Sequence, residues 1–136
     1  MKDEINPLTE EGFGPMKCDL RERTKKFALR IIKLYTALPR RGDAQVLGNQ
    51  LLKAGTSVGA HYREACRAKS DADFISKIEG ALQELDETAY WLELIGESEI
   101  LPLKRLEALQ DEAEELTAIL VTIVTKVKRK DPKRSR

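Results

Sequence analysis

With 136 residues the chain falls in the range of a single domain with room for a real core. Charged residues make up 35% of it, aromatics 5%, and the net charge is +1, a mix that suits a helical bundle better than a β-sandwich. No apolar run approaches the roughly 20 residues of a membrane span, the acidic start over 1–11 does not read as a signal peptide, and two cysteines without a CxxC or ligand partners point to a reduced, cytoplasmic protein.

Residues 1–15 hold Pro7, Gly12, Gly14 and Pro15 and no apolar period. They read as a disordered leader, with Met16 as an alternative start. A first helix is expected over 18–38, where Phe27, Ile31, Leu34, Tyr35 and Leu38 recur at helical spacing. Arg23, Lys26, Arg30 and Lys33 form a separate basic stripe on it. Four like charges in a line repel, so such a stripe is solvated, paired to a neighbour's acids, or open to phosphates. Pro39 ends the helix, and Asp43 is the expected N-cap of the next.

The second helix is expected over 44–69. Leu51, Gly55, Val58, Gly59, Tyr62 and Cys66 share one face, small in the middle and bulky at the ends. Each glycine inside a helix costs roughly 1 kcal/mol relative to alanine, and such residues persist most readily where another backbone comes close. Ser57, His61 and Glu64 form a neighbouring polar stripe, extended by Gln50 and Lys53. The other flank carries Asn49, Thr56, Arg63 and Arg67.

Ser70 and Asp73 form a capping box of the loose Ser-x-x-acid kind, which starts a third helix over 71–97. Its two apolar seams predict two neighbours: Phe74, Ile78, Ala81, Leu85, Leu92 and Ile95 in one; Ile75, Leu82, Ala89 and Gly96 in the other. Gly80 marks another close approach. Tyr90 and Trp91 lie outside the narrow seams, so at least one is a candidate for an intersubunit contact. After a loop over 97–101, Pro102 opens a fourth helix over 102–130. Leu106, Leu109, Ala113, Leu116, Leu120, Ile123 and Val127 alternate three and four apart, a heptad seam. Its end is basic (Lys126, Lys128, Arg129, Lys130) and continues into Lys133, Arg134 and Arg136. The helix dipole by itself favours some of these cations. The domain plan is therefore a leader over 1–15, a bundle over 16–130 and a basic tail over 131–136.

Charge alternates along the chain. Residues 12–70 carry 13 Lys/Arg against 4 Asp/Glu, residues 71–115 carry 3 against 14, and residues 116–136 carry 7 against 1. Such asymmetry serves nucleic-acid binding or, equally, neutralisation of acidic helices by basic ones within a bundle or across subunits.

Metal and catalytic chemistry find little support. A di-metal bundle site needs Glu-x-x-His repeats, and the chain has a single histidine and no such repeat. Zinc sites of the Cys/His type fail on the same count. Ser57, His61 and Glu64 lack the strained turn, oxyanion hole and pocket of a catalytic triad. No enzyme activity and no cofactor are expected.

The run from Gly55 to Ser70, with Glu84 to Leu94 and Leu20 to Ala28, resembles the four-helix bundle proteins of the large-subunit ribosomal RNA intervening-sequence family, over about 16–127. Its hallmark is Ser57, the small pair Gly59-Ala60, Glu64, a short basic link, and an acidic helix with Gly80, Glu84 and Asp86. His61 departs from the family's usual asparagine. The resemblance implies an all-α, antiparallel up-and-down four-helix bundle that assembles as a homopentamer. It also implies kinship to the accessory variability protein of diversity-generating retroelements, a basic pentamer that binds nucleic acid and a reverse transcriptase.

Two functions follow. In the first, an oligomeric, non-enzymatic bundle binds RNA or DNA through Arg23, Lys26, Arg30, Lys33, Arg63, Arg67 and the cluster Lys126, Lys128, Arg129 and Lys130. In the second, the protein is an interaction scaffold and its charges serve assembly. Gly55, Ser57, Gly59, His61, Glu64 and Gly80 are assigned to helix packing in either.

Overall fold

Apolar residues at helical spacing, short polar links and few β-branched runs organise this chain into four helices. The computed structural model describes residues 14–130, with side-chain surroundings from Leu20 onward. Residues 1–13 of the leader, the tail over 131–136 and the Cys18 side chain lie outside the described residues. The helices are α1 (Gly14–Thr36), α2 (Gly42–Cys66), α3 (Asp71–Glu97) and α4 (Leu103–Lys130), and no strand occurs among the described residues. Gly14 and Pro15, assigned to the leader from sequence, form the first residues of α1.

Links of a few residues force consecutive helices to run antiparallel. Helix α2 packs extensively on α1 and α3, and α3 on α4, while α4 closes back on α1 over a short stretch only. Among the described residues the backbones of α1 and α3 stay apart, as do those of α2 and α4, so each pair lies on a diagonal of the bundle. The α2–α3 link and the C-terminus of α4 share one end. The core is Phe27 and Ile31 of α1, Leu51, Val58 and Tyr62 of α2, the first seam of α3, and the whole heptad seam of α4, all buried. Tyr35, Leu38 and Cys66 are only half-buried at its edge.

The first seam of α3 is buried throughout. The second meets α4 at its Gly96 end, where a Cβ would lie 3.1 Å from Leu106 Cδ1. Ile75 in it is buried, and Leu82 and Ala89 are half-buried. The glycines of α2 face α1: a Cβ on Gly55 would come within 2.7 Å of Ile31 Cγ1, closer than real side chains approach. Trp91 packs partly buried against the core, whereas Tyr90 is 52% exposed.

The helix ends differ from the sequence expectation for identifiable reasons. Helix α1 stops at Thr36, and three-residue bonds tighten its exit: Ala37 N donates to Leu34 O at 2.9 Å and Leu38 N to Tyr35 O at 3.2 Å. Pro39 disfavours a helical Leu38. Helix α2 starts at Gly42, with extended Arg41 in the cap position and no side-chain cap. Asp43 sits inside the first turn instead of capping it. Its carboxylate accepts Ala44 N at 2.8 Å and Arg41 Nε at 2.9 Å. The Arg41 guanidinium, then the Ala44 amide, hold the Asp43 carboxyl below its ordinary pKa. Ser70 caps α3 by accepting Asp73 N at 3.0 Å. The reciprocal arm of the box falls one residue back, with Lys69 N reaching Asp73 Oδ2 at 3.4 Å.

The C-terminus of α3 closes in a Schellman motif. Ile100 N donates to Ile95 O and Glu99 N to Gly96 O, each at 3.0 Å. Ile100 and Ile95 are both buried, which supplies the hydrophobic contact that accompanies such ends. The motif needs a left-handed residue, and Glu99 takes it at φ 63°.

Candidate functional site

The basic stripe of α1 is divided by the fold. Arg23 lies where α1 meets α4, and α4 presents Glu112 and Glu115 there. Arg23 Nη2 donates to Glu112 Oε1 at 2.7 Å and to Glu115 Oε1 at 2.9 Å, and Nε donates to Glu112 Oε2 at 3.1 Å. This fork geometry suits guanidinium and carboxylate, and both Arg23 and Glu112 are mostly buried. Arg23 is thus held by its own chain and does not stand open to phosphate. Lys26, Arg30 and Lys33 are exposed and make no ion pair among the described residues. Arg30 and Lys33 line a shallow groove with Leu34, and Arg105 and Leu109 form its α4 wall. Arg105 was not singled out from sequence, because only the α1–α4 contact brings it to the stripe.

The remaining candidate cations gather at the opposite end. Arg63 and Arg67 finish α2, and Lys126, Lys128, Arg129 and Lys130 finish α4, so antiparallel packing carries both groups to one end of the bundle. Arg67, Arg129 and Lys130 are exposed, and Arg63 is half-buried. Lys128 Nζ reaches across to Glu79 Oε2 of α3 at 2.8 Å. Two helix C-termini lie here, whose partial negative charge offsets part of the repulsion among the cations.

The polar stripe of α2 is less uniform than the sequence predicts. Ser57 Oγ donates to Lys53 O at 2.7 Å, within its own helix, and makes no interhelical bond among the described residues. His61 does reach α3. A Cβ on Gly80 would lie 3.1 Å from His61 Nδ1 and 3.2 Å from Cε1, so the absent side chain makes room for the imidazole. Its Nε2 lies 3.6 Å from Glu84 Oε2 and its Nδ1 3.6 Å from Glu64 Oε1. These separations are charge proximity rather than hydrogen bonds. Nδ1 is shielded from solvent without a hydrogen-bond partner. Glu64 is exposed on the outer surface, so it is not the buried member of an interhelical network that its place in the stripe suggested. Among the described residues no three His, Cys, Asp or Glu side chains come together to hold a metal ion. No helix there is long and apolar enough to cross a membrane.

A family model, 23S rRNA-intervening sequence protein, matches residues 16–122. Among solved structures, a protein of unknown function from the S23 ribosomal protein family of Bacteroides thetaiotaomicron is similar, with a TM-score of 0.76 and 37% identity. The match covers 80% of this chain and 97% of that one. No curated protein matches. The span of the family match, with this likeness, places the chain in the 23S rRNA-intervening sequence protein family.

Proposed function

We propose that this protein is a non-enzymatic, oligomeric accessory protein that binds the phosphate backbone of RNA or DNA. The observation that carries the reading is that the α2 and α4 C-termini lie at the same end of the bundle, where Arg67, Arg129 and Lys130 are exposed. Arg63 and Lys126 stand beside them. Phosphate contacts of this kind hold a nucleic acid without reading its bases. The homopentamer implied by the resemblance would repeat the site around a ring and raise its avidity. The reversal Arg67→Glu with Arg129→Glu and Lys130→Glu tests the site. Binding to a structured RNA and to an unrelated duplex should fall together by at least tenfold, with helical content and oligomer size unchanged. Full binding by this variant contradicts the reading.

The scaffold reading has its own support. Arg23 and Lys128, two of the candidate cations, are taken up by Glu112, Glu115 and Glu79 within the fold. If the triple reversal leaves nucleic-acid binding intact, or the parent binds none, the scaffold reading replaces the first.

A further inference from the structure

We infer that a second copy of this chain docks on α1, laying the outward face of its α3 across the outward face of α1. The inference rests on the oligomeric part of the proposed function and adds which two faces meet. Helices α1 and α3 occupy a diagonal of the bundle, so their outward faces look in opposite directions. Each carries mainly one sign of charge beside exposed apolar side chains; the exception is exposed Glu22 on α1, which pairs with Lys25 Nζ at 3.7 Å.

On α1 the exposed cations Lys26, Arg30 and Lys33 flank Leu29, 55% exposed, and Ile32, 40% exposed. On α3 the exposed carboxylates Asp86, Glu87, Glu93 and Glu97 surround Tyr90, 52% exposed. Among the described residues Lys26, Arg30 and Lys33 form no ion pair, and neither do these four carboxylates. Like charges at helical spacing repel, so each face is unfavourable alone and favourable against the other. An apolar centre with an aromatic and a charged rim is the anatomy of a protein contact. Nucleic acid on α1 would account for the cations but leave Leu29 and Ile32 without partners, since aliphatic side chains offer phosphates nothing.

The two faces are different surfaces on opposite sides. Contact between them is therefore head to tail, with α1 of each copy meeting one neighbour and α3 the other. Such a contact closes into a ring or continues as a filament, and it cannot stop at a symmetric dimer.

Sedimentation velocity on the full chain at micromolar concentration tests this with two variants, Leu29→Glu and Tyr90→Glu. Both positions are exposed, so circular dichroism should show parental helicity. Each variant alone should sediment as a monomer. An equimolar mixture should form a 1:1 heterodimer and nothing larger, because the intact α3 of the first fits the intact α1 of the second and the remaining faces are both spoiled. Parental size in either variant, or a mixture that stays monomeric, overturns the pairing of faces while leaving the oligomeric reading in place. Parental assembly by Leu29→Glu with loss of RNA binding overturns it in favour of nucleic acid on α1. A monomeric parent defeats both the inference and the oligomeric reading.

Discussion

The backbone of α3 at Gly80 lies against the imidazole of His61 on α2, with His61 Nδ1 3.1 Å from where a Cβ would stand. The same logic holds between α2 and α1, where Ile31 fills the space beside Gly55. Neither contact needs a second subunit. Gly55→Ala should therefore destabilise each protomer by about 1–3 kcal/mol through overpacking, against a small gain in helix propensity. Gly80→Ala should cost less, because the imidazole is half-exposed and can swing aside. Urea unfolding of both variants checks the order, and equal stability of Gly55→Ala and the parent would deny the close approach.

Arg23 ties α1 to α4 where those helices meet only briefly. Its fork cannot be reproduced by lysine, a point charge. Arg23→Lys and Arg23→Ala should both lose stability, by about 1 kcal/mol for the first and more for the second. Nucleic-acid affinity should not change in Arg23→Lys. A fall in affinity without loss of stability would return Arg23 to the phosphate-binding set.

Glu99 occupies a left-handed backbone position at the end of α3, where a Cβ is costly. Glu99→Gly should raise stability by roughly 0.5–1 kcal/mol, the relief of that strain less the entropy glycine loses on folding. Thermal melting reads it directly. A lower melting temperature would mean that the Glu99 side chain makes a stabilising contact.

Asp43 should titrate below an ordinary aspartate, because the Arg41 guanidinium and the Ala44 amide favour its charged form. A folded pKa below the unfolded one contributes stability that is present above the ordinary aspartate range and lost as pH falls through the depressed value. Carbon NMR of the carboxyl should show the shift, and Arg41→Ala should reverse most of it. An unshifted Asp43 would contradict the pair.

The helices were legible because their cores are periodic. The heptad seam of α4 is buried throughout, and α3 runs over Asp71–Glu97 as its capping residues predict. Four antiparallel helices follow from spacing and short links alone. The site was less legible, since it depends on which helices are neighbours. Spacing shows that Arg23 and Lys33 share a stripe on α1, but not that Glu112 and Glu115 would reach only the first. Ser57 could be placed on a polar face, yet a serine inside a helix often bonds back to the preceding turn, and this one does. The stripe places Glu64 beside the packing residues, while the fold leaves its side chain exposed. Glu64→Ala should accordingly change stability by less than about 0.5 kcal/mol.

The salt dependence of nucleic-acid binding tests the central claim most directly. Affinity for a structured RNA and for an unrelated duplex is measured on the full chain from low to physiological salt. Phosphate binding predicts comparable affinities for the two, falling linearly in log–log form with a slope of about 0.7–0.9 per phosphate engaged. The Arg67, Arg129 and Lys130 reversal should flatten that slope. No binding at the lowest salt, or binding that salt does not weaken, contradicts the account.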